Sequence, residues 1–283
     1  MNLPGFGEVS ERVRRSTVQI RDSRHTRSLG SGVIFSAGGA ILTNAHVASG
    51  PDALVELWDG REFDARVDSR DTRRDLALLR IAAQDLPAAT FGDSGRLRVG
   101  ELVIAVGNPL GFAGALTTGV MHAFGPVRGL GRRPWVQASV RLAPGNSGGP
   151  LTDAEGRVIG INTMIAGGLA LAVPSNTVAD FHRRGPRTVR LGVVLRPVPI
   201  RFEDRERLGL LLLEVEAGGA AAGCSLMPGD ILLGAQGRFF ESPADLADML
   251  DDAGAAIRLM FLRGDRVRLR EATAALARTA EAA

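Results

Sequence analysis

The sequence predicts a mainly β protein whose antiparallel strands close into a barrel or a sandwich, followed by a second, smaller domain. Three observations carry this reading. Short apolar runs alternate with glycine-rich turns along most of the N-terminal part of the chain. A hydrophobic fraction of 45% with 36 glycines suits a turn-rich protein with sizeable cores. An Arg- and Pro-rich stretch at 183–201 then separates this pattern from a different one, and a length of 283 residues accommodates two domains.

Taken in order, residues 8–15 fit a short helix. Strand candidates follow at Gly32-Val33-Ile34-Phe35, Ala40-Ile41-Leu42-Thr43, Leu102-Val103-Ile104-Ala105-Val106 and Arg157-Val158-Ile159-Gly160-Ile161. A helix fits 175–184, with Ser175 as N-cap and Gly185 as its stop. Beyond the linker, Leu210 to Val215 reads as a strand, Ala217 to Gly223 as a small-residue stretch, and Met227-Pro228-Gly229-Asp230 as a turn into the strand Ile231-Leu232-Leu233. Ser242-Pro243-Ala244-Asp245 is a helix start, with a cap, a first-turn proline and an acid near the positive end of the helix. Leu246, Met249 and Leu250 mark its apolar face. The Ala-rich tail from Glu271 reads as a frayed helix or disordered chain. The chain is expected to divide into domains at 1–184 and 187–272, with a tail at 273–283.

Charge excludes more than it suggests. The net charge is +3, and all 34 basic residues are arginine, with no lysine and no tyrosine. Almost nothing titrates between neutral pH and the arginine range, so a small surplus raises the isoelectric point to about 10.5. No nucleic-acid-binding motif accompanies the scattered arginines. One cysteine, Cys224, permits no intramolecular disulfide. The four histidines form no cluster at zinc spacing, and no metal or other cofactor is expected. No run is long enough to span a bilayer, and the charged stretch Glu8 to Arg15 lacks the apolar centre of a signal peptide. The chain as written is expected in the cytoplasm; a leader lost to a misassigned start would make it periplasmic.

The sharpest chemical signal is Pro144-Gly145-Asn146-Ser147-Gly148-Gly149-Pro150-Leu151. A serine hydroxyl is a poor nucleophile until a base takes its proton and donors stabilise the oxyanion that forms. The glycines let the backbone turn tightly and aim amides inward, making the Gly145-Asn146-Ser147 segment the candidate oxyanion hole, with Gly145 and Ser147 as donors. The same string fits Gly-x-Ser-x-Gly, the nucleophile elbow of α/β-hydrolases. An elbow needs a helix straight after the serine, then acid and base later in the chain. Here Pro150 and a strand follow, and the single later histidine, His182, lies among arginines. The elbow reading fails. Upstream lie better partners: His46, just after a strand, and Asp75, opening Asp75-Leu76-Ala77-Leu78-Leu79-Arg80. In such a triad the aspartate orients the imidazole, and the imidazole acts as base and then acid.

With these strings in view, the first 180 or so residues resemble the protease domain of the HtrA (Deg) family. The matching segments are Gly30 to Ile34, Leu42 to Val47, Asp75 to Leu79, Val106 to Gly111, Gly145 to Leu151 and Leu169 to Ser175, in the family's order. The resemblance implies a trypsin-like double β-barrel with the active site between barrels, ATP-independent cleavage of unfolded or damaged proteins, and often a homotrimer. It places Ile161, Asn162, Thr163, Leu169, Ala170 and Leu171 around the specificity pocket, whose apolar character suits a small aliphatic residue before the cut. Where the family commonly reads Thr-Asp-Ala-Ala-Ile-Asn, this chain has Ala138-Ser139-Val140-Arg141-Leu142-Ala143, so the loop's usual acid is replaced and Arg141 is new.

Residues 187–272 resemble the PDZ domain that follows HtrA protease domains, a small α+β module that binds peptide C-termini. The resemblance makes Arg190-Leu191-Gly192-Val193 the carboxylate-binding loop, Val193 to Leu195 the edge strand to which a peptide adds, and Leu246 and Leu250 the facing helix surface. A second reading of the whole chain is a latent protease serving as a peptide-binding chaperone or scaffold.

Overall fold

The computed structural model describes residues 5–21, 28–108, 114–185, 190–264 and 268–276. Residues 109–111 of the Val106 string, 187–189 at the start of the expected second domain, and the tail from 277 lie outside them. The chain divides into two units, one of residues 1–125 and 134–186, the other of residues 126–133 and 187–283.

In the first unit the apolar runs become two closed six-stranded antiparallel barrels. One comprises β1 (Thr17–Arg21), β2 (Ser28–Ser36), β3 (Ala40–Thr43), β4 (Asp52–Glu56), β5 (Glu62–Asp71) and β6 (Leu76–Ile81), paired in the order β1-β2-β3-β6-β5-β4. The other comprises β7 (Leu102–Gly107), β8 (Ala115–Gly125), β9 (Trp135–Ala138), β10 (Pro150–Thr152), β11 (Val158–Ala166) and β12 (Leu169–Pro174), paired in the order β10-β11-β12-β9-β8-β7. Closure removes the open strand edges that a flat sheet would leave. Ile20, Ile34, Ile41, Val55 and Leu79 fill the first barrel, and Val103, Met121, Val136 and Leu151 the second. This resolves the barrel-or-sandwich alternative in favour of barrels.

Two helices finish this unit. In α1 (Phe6–Arg15) the buried Val9 and Val13 pack against Ile104 and Val106 of β7. In α2 (Ser175–Arg184) the buried Val178 and Phe181 join a core drawn from both barrels: Val33, Leu42 and Leu76 from one, Val158, Ile161 and Val173 from the other. Ser175 is the first residue of α2 rather than its cap; Pro174 takes that position. The Ser175 hydroxyl instead donates to Gly92 O at 2.7 Å and accepts from Ser94 N at 3.1 Å.

The second unit is a sheet with β13 (Val193–Phe202), β14 (Arg205–Val215), β15 (Ile231–Ala235), β17 (Ala256–Leu262) and β18 (Arg270–Ala275) paired in that order, and β16 (Arg238–Phe239) on β15. Helices α3 (Ala220–Gly223) and α4 (Asp245–Asp252) accompany it. Glu203 and Asp204 join β13 to β14 with φ of 51° and 56°, the backbone of a two-residue type I′ hairpin. The expected linker over 183–201 therefore gives way to a ten-residue strand from Val193. Its prolines, Pro197 and Pro199, are tolerated because β13 lies at the sheet edge.

The tail reading is also corrected. Residues 270–275 form a strand against β17, and Ala274 and Leu276 are buried in the unit's core, so the unit extends past residue 272. Alanine has little strand preference, but cross-strand packing on Ile257 overrides it here. Helix α4 starts at Asp245, later than expected, because the Asp245 carboxylate ties the preceding turn through Glu241 N and Ser242 N. Residues 126–133 also belong to this unit: the Arg132 amide donates to Asp248, and Arg133 pairs with Asp248 at 2.7 Å and with Asp251.

Candidate active site

Three turns carry the site. Asn44 ends the β3 segment and starts the first: its carbonyl accepts from Val47 N at 3.2 Å and Ala48 N at 3.1 Å, a single helical turn that presents His46 with its side chain half exposed. The second turn delivers Asp75 immediately before β6, in the left-handed region at φ 54°. A non-glycine residue there carries strain and persists only where its surroundings hold it. The buried Asn44 supplies that hold, since its Nδ2 donates to Asp75 O at 2.8 Å.

The Asp75 carboxylate gathers three donors. His46 Nδ1 lies 2.8 Å from Oδ2, the His46 backbone amide donates to Oδ1 at 3.1 Å, and the Thr163 hydroxyl donates to Oδ2 at 2.5 Å. A carboxylate acceptor at Nδ1 selects the tautomer with its proton there, leaving Nε2 as the acceptor. The hydrogen bond to the Asp75 carboxylate, aided by its charge, holds the His46 pKa above the ordinary imidazole value against the opposing effect of partial burial.

The third turn is the serine loop. Ala143-Pro144-Gly145-Asn146 closes through Asn146 N to Ala143 O at 3.0 Å, with proline second and Gly145 third at φ 104°, the pattern of a type II turn. That bond occupies the Asn146 amide. Among the described residues, the amides of Gly145 and Ser147 have no acceptor. Gly148 follows at φ 86°, where a Cβ would lie 2.1 Å from Ser31 O, so only glycine allows the loop to sit against β2. The Ser147 hydroxyl donates to Thr163 O at 3.0 Å and makes no hydrogen bond with the His46 ring.

Thr163, grouped by the sequence with the pocket, thus connects Ser147 to Asp75. The register of β11 against β12 slips between Asn162 and Met164, a bulge that re-aims Thr163. Other expected pocket residues are less available. The Ile161 side chain lies in the core between barrels, Ala170 in the second barrel, and Asn162 donates to Pro150 O at 2.9 Å. Leu171 is buried and Leu169 half-buried. Arg141 is exposed, and its carbonyl accepts from the Thr117 hydroxyl at 3.1 Å. The sequence also missed Asn44 and Ser31 as site residues, although both stand inside the motif strings that carried the reading.

In the second unit, Leu191, Leu246 and Leu250 are buried in one core, with Val193 and Leu195 packed on it, while Arg190 is exposed. Leu191 O accepts from Ala221 N at 2.9 Å and Gly192 O from Glu216 N at 2.8 Å, fixing the loop that precedes β13.

The fold and the sequence both have counterparts among known proteins. Residues 30–161 match the trypsin-like peptidase domain. A probable periplasmic DegP-like serine endoprotease of Halomonas elongata is 39% identical over 262 residues, 85% of this chain and 55% of that protein. A protein of the same description from Pseudomonas savastanoi pv. phaseolicola is 38% identical over 275 residues, covering 89% of this chain and 57% of its own length. The chain therefore spans about half the length of these curated relatives. Among solved structures, the HtrA-type protease AlgW with a tripeptide superposes with a TM-score of 0.71 at 30% identity, covering 99% of both chains. A chain 30% identical to a solved HtrA-type protease over 99% of both chains, with the trypsin-like segment within it, belongs to the HtrA (Deg) family of serine proteases.

Proposed function

We propose that this protein is a serine endopeptidase in which Ser147 is the nucleophile, His46 the general base and acid, and Asp75 the group that orients His46. The observation that carries the reading is the pairing of His46 Nδ1 with the Asp75 carboxylate at 2.8 Å, with Ser147 held to the same carboxylate through Thr163. Attack begins when the Ser147 side chain turns about its Cα–Cβ bond to another staggered well and offers its proton to His46 Nε2. Oγ then adds to the scissile carbonyl, and the amides of Gly145 and Ser147 receive the oxyanion. His46 returns the proton to the leaving amine, and water repeats the sequence on the acyl-enzyme. No step requires a nucleotide.

The substrates in this reading are unfolded or damaged proteins, cut after small aliphatic residues that suit the apolar Leu169 to Leu171 segment. Peptide C-termini are recognised in the second unit between β13 and α4, by strand addition at the edge. The relatives named as periplasmic support the periplasmic alternative over the cytoplasm. Among the described residues no helix is long and apolar enough to cross a membrane.

The bond from Ser147 to Thr163 O also favours a second reading, a protease at rest that binds chains without cutting them. One experiment separates the two. Wild type and Ser147→Ala are treated with a fluorophosphonate probe, mapped by mass spectrometry, and assayed on unfolded casein with and without added C-terminal peptides. Labelling at Ser147 and turnover by wild type alone supports the endopeptidase; equal suppression of aggregation by both proteins, without cleavage, supports the binder.

A further inference from the structure

Ser31 of β2 is fully buried, and every hydrogen-bonding position of its side chain is occupied. Asn108 N donates to its Oγ at 2.8 Å and Asn108 Nδ2 at 3.3 Å. The hydroxyl proton therefore goes to its remaining neighbour, Gly145 O, at 2.6 Å. Asn108 is anchored in turn, its Nδ2 on Val18 O and its Oδ1 on Gly114 N, both at 2.8 Å. The main chain of Ser31 is equally engaged: its amide donates to Ser147 O at 2.8 Å and its carbonyl accepts from the buried Thr43 hydroxyl at 2.6 Å.

The two carbonyls that Ser31 holds belong to the 145–146 and 147–148 peptide planes. The two free amides of the serine loop belong to the alternate planes, 144–145 and 146–147. Fixing every second plane leaves the intervening amides little freedom to turn away. The contact also spans the barrels, joining a strand of the first to the loop between β9 and β10 of the second.

We propose that Ser31 is a positioning residue for the oxyanion hole, locking the Gly145 and Ser147 backbone through its hydroxyl and its amide. The inference rests on the endopeptidase reading above and deepens it. Ser31 touches no reacting atom. Its hydroxyl acts on the transition state through Gly145, so its loss weakens oxyanion stabilisation and leaves the His46–Asp75 pair and ground-state binding intact.

The test compares wild type, Ser31→Ala and Ser31→Cys on a cleavable peptide and on two inhibitors of one sequence: a peptide boronate, which places an oxyanion in the hole, and the corresponding peptide amide, which does not. Ser31→Ala is expected to lower kcat about 10²-fold, the scale of one oxyanion donor, with KM within about twofold and the acid limb of the pH profile unmoved. Boronate affinity falls with kcat, and amide affinity stays. Ser31→Cys keeps the shape with a weaker donor, gives an intermediate kcat, and serves where Ser31→Ala fails to fold. The inference is overturned if Ser31→Ala keeps kcat within about threefold of wild type, if Ser31→Cys equals wild type, or if boronate and amide affinities fall together. Wild-type protein that neither cleaves nor labels at Ser147 overturns the parent reading and this one with it.

Discussion

The Ser147 hydroxyl donates to the Thr163 carbonyl at 3.0 Å, while the hydroxyl of the same threonine donates to Asp75. Thr163→Val keeps the shape and the carbonyl but removes one of three donors from the Asp75 carboxylate. Hydrogen bonds to charged groups contribute about 1.5–3 kcal/mol, so kcat should fall roughly 10- to 100-fold. Thr163→Ser should restore most of it; unchanged kinetics for Thr163→Val would deny Thr163 any part in holding Asp75.

The raised pKa of His46 sets the direction of the pH response. Only neutral imidazole accepts the serine proton, so activity is lost as pH falls through the His46 pKa. The hydrogen bond and charge of Asp75 raise that pKa, which places the acid limb of kcat/KM above the position of an ordinary histidine. Asp75→Asn removes the cause and should move the limb to lower pH, with kcat reduced about 10⁴-fold by loss of the correct tautomer. A limb that stays in place would assign it to another group.

Asn44 separates activity from stability. Asn44→Leu removes the donor to Asp75 O and also the buried, unpartnered Oδ1 of the asparagine. Folding stability should drop by only about 1–2 kcal/mol, the cost of one unsatisfied carbonyl. Release of the left-handed Asp75 backbone should lower kcat about tenfold or more. Denaturant melts and steady-state kinetics on the same samples check both halves.

Phe181→Ala tests the joint between barrels. Its ring is almost fully buried in the core that Val33, Leu42 and Leu76 share with Val158, Ile161 and Val173. The cavity should cost about 3–5 kcal/mol. A smaller loss in urea unfolding would show that the barrels close over the gap.

In the second unit, Arg263 pairs with Asp230 through two bonds of 2.7 Å, and the acid is 1% exposed. Arg263→Met strands a buried carboxylate and should destabilise this unit by about 3 kcal/mol or more. Asp230→Asn with Arg263→Met should recover part of that loss, measured as a melting-temperature difference between the single and double variants.

The residues proposed as reactive were legible because their chemistry admits few substitutes. His46, Asp75 and Ser147 each stand in a short string at the end of a strand, and chain order together with the strand after Ser147 excluded the elbow alternative. What escaped was set by tertiary contact. Thr163 acquired its role from a bulge, and a one-residue slip in register leaves no mark in composition. Ser31 and Asn44 read as ordinary polar residues in apolar strings until the second barrel and the Asp75 backbone arrive beside them. The strand at 270–275 was hidden by its alanines, whose small side chains fit against Ile257 but signal nothing locally. Residues 126–133 fell within the expected first domain, 1–184, because no local pattern announces a pairing with acids more than a hundred positions later.

Pro197 and Pro199 sit two apart on the edge strand β13, on the same side of its backbone. A neighbouring chain seeking to extend that sheet meets missing donors from the fifth residue of the strand onward. The opening stretch, Val193 to Arg196, keeps all of its main-chain donors, with a register shift between Val194 and Leu195. The edge is thus graded: open enough for the last few residues of a guest, and closed to the long side-by-side stacking by which exposed strands seed fibrils.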